Sequence, residues 1–191
     1  KNKDLLSNIV DSEIAVIRSG TKLNKEILQK ASNLKIIARC GVGIDNIDIE
    51  EASENNIYIT NSPNANIISV AELTIGLIIS AARKIHTSNN SLKAKNWDRS
   101  SFLGTELYGK QLGLIGFGKA AREVSKRMLA FGMNVVFFDP YVVESDVQEK
   151  KVDLDELLMT SDVISIHVVK TGETLDLLNN EKLNLIKPGG I

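Results

Sequence analysis

Apolar and polar positions alternate along the chain in two rhythms. In residues 1–60, short apolar runs at Ile14–Ile17, Lys35–Ala38 and Ile57–Thr60 are separated by polar stretches of helical period, about Asn24–Ser32 and Ile49–Asn55. Runs of that length predict buried strands, and strands alternating with helices predict a parallel α/β sheet. Ligands of such sheets lie beyond the carboxyl ends of the strands, which singles out the loops at 18–21, 40–46 and 61–66. Asp48, followed three residues later by Glu51, predicts a capping box on the second helix. From Val70 to about His86 the apolar residues occupy nearly every face of a helical repeat, which predicts a helix buried all round between domains or subunits. Ser69 with Glu72, and Ile68 with Leu73, supply a capping box and a hydrophobic staple for its start, so Glu72 reads as a cap rather than a catalytic acid. His86 would close that helix at the negative end of its dipole. Residues 87–108 lose the period, with Trp97, Phe102 and Tyr108 interspersed, as in an arm laid on a partner subunit or a connection pinned by its own aromatics.

The stretch Lys110–Asp139 carries the most specific pattern. An apolar run, Gln111–Gly116, turns on Gly116–Phe117–Gly118 and continues as a helical pattern from Lys119 to Phe131. Ala120, Ala121, Val124, Met128 and Phe131 share one face of that helix, opposite Arg122, Glu123, Lys126 and Arg127, and Gly132 is a natural stop. A second apolar run, Val135–Phe138, ends on Asp139. This is a βαβ unit with glycines at its first turn and a carboxylate at the tip of its second strand, the arrangement that receives a dinucleotide. Backbone N–H groups and the positive end of the helix dipole meet the pyrophosphate. Ala121 takes the third glycine's place, where only a close approach of helix and strand is required. Asp139 lies 21 residues past Gly118, near the offset for hydrogen-bonding a ribose diol. No Lys or Arg stands between Asp139 and Gln148 to receive a 2′-phosphate, so NAD is favoured over NADP.

The remaining pattern is a strand remnant plus helix over Val152–Thr160, a strand over Val163–His167, and a helix over Asn180–Ile186 stopped by Pro188–Gly189–Gly190. A length of 191 residues allows one large domain or two small ones, and 43% hydrophobic content with a net charge of −1 describes an ordinary soluble globular protein. That balance, with no basic run, argues against nucleic acid as a partner. The single cysteine, Cys40, excludes an internal disulfide framework, reads as a small buried residue and fits a reducing cytoplasm. The charged N-terminus is not a secretory signal, and Ile67–Ala82, the most membrane-like segment, carries Glu72 and is too short to span comfortably, so no membrane partner is expected. The chain starts on Lys1 and stops on KPGGI inside what reads as a strand, so a piece of a longer protein is expected.

Several stretches together resemble the D-isomer-specific 2-hydroxyacid dehydrogenases. They are IRSGTKLN (17–24), ARCGVGIDNID (38–48), NSPNANIISVAELTIGLI (61–78), GTELYGKQLGLIGFGKAAREV (104–124), FFDPY (137–141) and SDVISIHVVKTGET (161–174). They stand in family order at family-like spacing over almost the whole chain from Arg18. The resemblance implies an α/β protein with part of a flavodoxin-like substrate-binding domain in residues 1–65 and a truncated Rossmann-like NAD-binding domain in 66–191. It implies that Lys119 and Ala120 meet the pyrophosphate beside Gly116 and Gly118, that Asp139 binds the ribose, and that His167 and Val168 lie beside the adenosine. Ser62 would stand near the nicotinamide end, Arg18 and Ser19 would reach the substrate's anionic group, and Val42 and Gly43 would offer backbone N–H groups to its carboxylate. Glycines allow such N–H groups to converge on an anion.

The resemblance further implies a small 2-hydroxy acid substrate, a homodimer or higher oligomer formed through the nucleotide-binding domain, and a cytoplasmic location. RSGT at 18–21 tilts the expected substrate towards 3-phospho-D-glycerate, oxidised to 3-phosphooxypyruvate as the first step of serine biosynthesis. Glyoxylate or hydroxypyruvate reduction is the alternative within the family, and NAD sensing by a corepressor-like binding protein the alternative outside it. A methyltransferase on a similar glycine turn leaves the loops at 18–21 and 40–46 unexplained. Ala120–Ala121 replaces the usual Ile-Gly, Val169 stands where proline commonly follows the histidine, and Gly172 stands where a second proline is common. The family's catalytic Arg, Glu and His all fall after the strand beginning at Gly190. No catalytic residue and no metal ligand is therefore expected in residues 1–191.

Overall fold

The computed structural model describes residues 2–142 and 149–191, which form two compact units, Lys1–Asn66 and Ile67–Ile191. Residues 143–148, part of the stretch whose lack of Lys and Arg favours NAD, lie outside the described residues.

The first unit runs α1 (Asn2–Ile9), β1 (Ile14–Ile17), α2 (Lys25–Lys30), β2 (Ile36–Arg39), α3 (Ile49–Glu54) and β3 (Tyr58–Asn61). Its sheet has the order β1-β2-β3, parallel throughout, with Ile17 opposite Arg39 and Arg39 opposite Asn61. The three strands therefore end level, and their following loops emerge side by side. Two strands sit one residue later than their apolar runs suggest. One face of the sheet packs Ile17 and Ile37 against Leu23, Leu28 and Ala52, and α1, which the pattern did not announce, adds Ile9 to this core. The opposite face leaves Ile14, Val16, Ile36 and Tyr58 exposed.

Both inner helices are capped where the residue types suggest. The Asn24 side chain accepts from Ile27 N–H at 3.2 Å, and Asp48 accepts from Glu51 N–H at 3.0 Å. The predicted box closes only on that side. Asp48 N–H donates to the Leu23 carbonyl, and the buried Glu51 carboxylate instead meets Lys25 Nζ at 2.8 Å and Asn55 Nδ2 at 3.0 Å.

The second unit runs α4 (Ile67–Ala82), α5 (Ile85–Lys93), β4 (Gln111–Ile115), α6 (Lys119–Ala130), β5 (Asn134–Phe138), β6 (Lys150–Lys151), α7 (Leu154–Thr160), β7 (Val163–Ile166) and α8 (Asn180–Leu183). Its sheet has the order β6-β5-β4-β7 with every pair parallel, so the strand order reverses between β4 and β7. That reversal is the switch point at which open α/β sheets form a ligand crevice.

The apolar stretch from residue 67 folds differently from its prediction. The helix starts at Ile67, which puts Ser69 and Glu72 inside it, so neither caps its start. It ends at Ala82, and Lys84 in left-handed conformation (φ 52°) opens a second helix, α5. His86 thus sits in the first turn of α5, its Nε2 3.2 Å from Asn90 Nδ2. Only one face of α4 is buried, through Ala71, Ile78 and Ala82, while Leu73 and Leu77 are 64% and 60% exposed.

The helix α6 follows its pattern closely. Ala121, Val124 and Met128 are fully buried, and only Phe131 turns outward. Gly132 (φ 74°) closes the helix as anticipated, with Gly132 N–H bonded to Leu129 O and Met133 N–H to Met128 O, the two bonds of a Schellman stop.

Candidate functional site

The glycine turn is built by β4 and held from three sides. Gly116 has φ 86°, and a Cβ there would stand 2.9 Å from the His167 carbonyl and 2.9 Å from Val168 Cγ1, so only glycine fits. Gly116 N–H donates to Phe138 O and His167 N–H to Ile115 O, each at 2.7 Å, which draws the ends of β5 and β7 onto the turn. The side chain between the glycines points inward. Phe117 is buried, stacks on Phe137 at 4.0 Å between ring centroids, and carries the Arg122 guanidinium 4.6 Å above its ring. Nothing in the residue pattern announces that anchor, yet it fixes the turn that α6 starts from.

Gly118 is the N-cap of α6 and makes no side-chain cap. A Cβ at this position would meet nothing within 4 Å, so the start of a 12-residue helix opens onto free space. Helix-start N–H groups lack partners within their own helix, and the dipole adds positive potential there. Lys119 and Ala120 form the first turn, as expected of a pyrophosphate cradle.

Asp139 stands at the tip of β5 with its carboxylate turned onto the glycine turn. One oxygen accepts from Phe117 N–H at 2.8 Å, and the other from Tyr141 N–H at 2.9 Å and Val142 N–H at 3.2 Å. A carboxylate offers about four acceptor positions, so with three filled one remains for a ligand hydroxyl. Asp139, Asp153, Glu156 and Lys151 share a cavity of about 490 Å³ beyond the strand tip. Lys151 Nζ bonds the Val142 carbonyl at 2.5 Å, and Asp139, Asp153 and Glu156 line the same cavity. Glu156 is paired with Lys150 Nζ at 2.9 Å, so Asp139 and Asp153 carry the negative charge of the cavity wall.

His167 and Val168 leave β7 directly beside Gly116. His167 Nε2 lies 2.9 Å from Ser165 Oγ, and burial lowers its pKa below the ordinary 6.5, keeping the ring neutral. A further contact crosses the same end of the sheet: the Tyr141 hydroxyl is bonded to the Glu173 carboxylate, which raises the Tyr141 pKa.

In the first unit the expected substrate loops lie together at the level strand ends. Gly41 has φ 146°, and a Cβ there would fall 1.5 Å from Arg39 Nη1. Ser62 N–H donates to Gly41 O at 2.9 Å, and Asn61 Nδ2 to Val42 O at 2.8 Å, so β3 holds the loop that carries Val42 and Gly43. Arg18 and Ser19 are exposed in the tight turn closed by Thr21 N–H to Arg18 O at 3.1 Å. Cys40, expected as a small buried residue, is exposed at the head of this loop. Asn61 and Asn46 were not foreseen as site residues, because their roles depend on bonds between segments distant in sequence.

Among the described residues no helix is long and apolar enough to cross a membrane. Comparison with known proteins agrees with this geometry. The family model described as "D-isomer specific 2-hydroxyacid dehydrogenase, NAD binding domain" matches residues 75–191. The chain is 46% identical over 193 residues to D-3-phosphoglycerate dehydrogenase of Methanocaldococcus jannaschii, covering 99% of this chain and 37% of that protein. It is 45% identical over 188 residues to hydroxypyruvate reductase of Thermotoga maritima, covering 98% of this chain and 61% of that one. The chain thus spans between about a third and three-fifths of these relatives. A solved D-lactate dehydrogenase from Aquifex aeolicus, complexed with NAD and lactic acid, superposes with a TM-score of 0.88 at 34% identity, over 95% of this chain and 56% of that one. The chain belongs to the D-isomer-specific 2-hydroxyacid dehydrogenase family, and its cofactor is NAD.

Proposed function

We propose that the protein containing this chain oxidises 3-phospho-D-glycerate to 3-phosphooxypyruvate, as a D-3-phosphoglycerate dehydrogenase. The observation that carries the reading is the pairing of two built sites in one chain. Gly116, Asp139 and His167–Val168 meet at the switch point of the second unit, and the Arg18 and Val42–Gly43 loops lie at level strand ends of the first. In this reading residues 1–65 belong to the substrate-binding domain and 66–191 to the NAD-binding domain. NAD, when bound, supplies the hydride acceptor.

This chain's own residues bind and orient. The turn Gly116–Gly118 with Lys119 and Ala120 holds the pyrophosphate, Asp139 the ribose, His167 and Val168 flank the adenosine, and Ser62 stands towards the nicotinamide. Backbone N–H groups at Val42 and Gly43 hold the substrate carboxylate, while Arg18 and Ser19 take the phosphate. The substrate's C2–H bond breaks with its electron pair leaving as hydride, and the C2 hydroxyl proton passes to a general base. That base and the groups that polarise and orient the reacting carbonyl come from chain beyond residue 191. The single exposed cysteine is compatible with a reducing cytoplasm.

Hydroxypyruvate reduction is the second reading, favoured by the Thermotoga maritima relative at 45% identity. The deciding measurement is NADH absorbance with the full-length enzyme on each substrate. The proposal expects kcat/KM for 3-phospho-D-glycerate oxidation to exceed that for D-glycerate, with residues 1–191 alone giving no turnover. Preference for the unphosphorylated acid would transfer the assignment to the second reading.

A further inference from the structure

Asn46 is 9% exposed and lies at the end of the loop that carries Val42 and Gly43. Its Nδ2 donates to two carbonyls of the neighbouring turn, Thr21 O at 2.6 Å and Arg18 O at 3.3 Å. Two acceptors on the same side fix the amide's orientation, because the flipped form would set oxygen against oxygen. The backbone continues the join: Leu23 N–H donates to Asn46 O at 2.9 Å and Asp48 N–H to Leu23 O at 2.8 Å. Its Oδ1 is buried with no hydrogen-bond partner among the described residues. The unpaired Oδ1 is a cost to the fold, set against the two carbonyls that the other end of the same amide satisfies.

We infer that Asn46 is a positioning residue for substrate binding, bracing the Arg18–Thr21 turn against the 40–46 loop so that Arg18 and the Val42–Gly43 amides face one anionic ligand. The inference rests on the substrate-loop assignment proposed above. The Asn46 side chain bonds Arg18 through its backbone carbonyl, so the brace sets where the guanidinium starts from, not its charge. Without the brace the turn keeps its internal Thr21–Arg18 bond and the backbone join at Leu23, and an exposed arginine then samples more directions that miss the ligand.

Asn46→Ala tests this in the full-length enzyme: it removes the orphaned acceptor but leaves the Thr21 and Arg18 carbonyls without their donor, so a lowered thermal midpoint accompanies the change in KM. With 3-phospho-D-glycerate varied at saturating NAD, KM rises about tenfold while kcat stays within about threefold. NAD affinity stays at its wild-type value. In an Arg18→Ala background the same substitution raises KM less than about twofold, since both act through one group. If Asn46→Ala gives no folded enzyme, Asn46→Ser, which keeps one donor, is held to the same KM criterion. Additive effects of Asn46→Ala and Arg18→Ala, or an unchanged KM in Asn46→Ala beside a raised KM in Arg18→Ala, would overturn the brace alone. An unchanged KM in Arg18→Ala would overturn the substrate-loop assignment beneath it. Joint loss of NAD binding and thermal stability in both Asn46 variants would make Asn46 a folding residue and end the inference.

Discussion

In the proposed function single residues serve shape and binding at once, and Asp139 is the clearest case. Its carboxylate accepts three backbone N–H groups before any ligand arrives, one of them from the buried Phe117 at the centre of the glycine turn. Asp139→Ala therefore removes the proposed ribose contact and strands N–H groups that need an acceptor. The expected outcome is NAD affinity lowered at least about tenfold, with unfolding free energy reduced by about 1–3 kcal/mol. Calorimetric titration with NAD and urea unfolding measure the two parts, and unchanged affinity would remove the ribose role while leaving the structural one. His167 gives a pH signature. Burial lowers its pKa in the folded state, so below the unfolded value of 6.5 the unfolded chain binds protons first. This contribution to stability is whole above pH 6.5 and declines as pH falls below it. A ring-proton NMR titration should place the His167 midpoint under 6.5, and a midpoint at or above that value would contradict the burial seen here.

At the scale of elements, periodicity reads well where one helix packs on one sheet and poorly where packing is shared. The α6 face, its Gly132 stop and Asp139 at the next strand tip were all legible, because amphipathic period, C-terminal glycine and offset are local signals. The break at Lys84 was not, since a left-handed lysine has no sequence signature, and an apolar stretch continuing through Ile85 reads as unbroken helix. Burial all round α4 was inferred from apolar residues on every face, but composition does not say what covers each face. The two site-building asparagines stayed hidden because their bonds join segments far apart in the chain. Gly113 escaped for the same reason. It lies inside β4, and a Cβ there would stand 2.3 Å from Ser161 Oγ and 2.6 Å from Leu157 Cδ2, so α7 can seat on the sheet only against a bare backbone. Gly113→Ala should cost about 1–3 kcal/mol by overpacking. Chemical denaturation measures it, and an unperturbed unfolding midpoint would mean that α7 shifts away freely.

At the scale of the whole molecule, the exposed apolar surface indicates where other chain is expected. A parallel sheet is ordinarily covered on both faces, yet Ile14, Val16, Ile36 and Tyr58 line a bare face of the first unit. In the proposed architecture that face is covered by the part of the substrate-binding domain that returns after the NAD-binding domain. The second unit exposes a different set on α5 and the segment after it: Ile85, Leu92, Trp97 and Leu103 are 48%, 55%, 77% and 76% exposed. Trp97 is exposed, whereas Phe102 is half-buried, the Tyr108 ring lies against Gly132 and Thr105 N–H donates to Ala82 O at 2.7 Å, so the segment is pinned at its end and open around Trp97. Exposed apolar clusters of this kind mark interaction surfaces, and a two-fold dimer covers the same patch on both copies. A homodimer through this segment is therefore expected, and Leu92→Asp with Leu103→Asp should dissociate it by placing unpaired carboxylates at its centre. The check is light scattering on the full-length protein, wild type against the double variant, alongside NAD titration. A monomer with wild-type NAD affinity is the expected result, because neither residue belongs to the glycine turn or the Asp139 tip. A double variant that remains dimeric would place the subunit contact on another face, with α4 and its exposed Leu73 and Leu77 as the next surface to test.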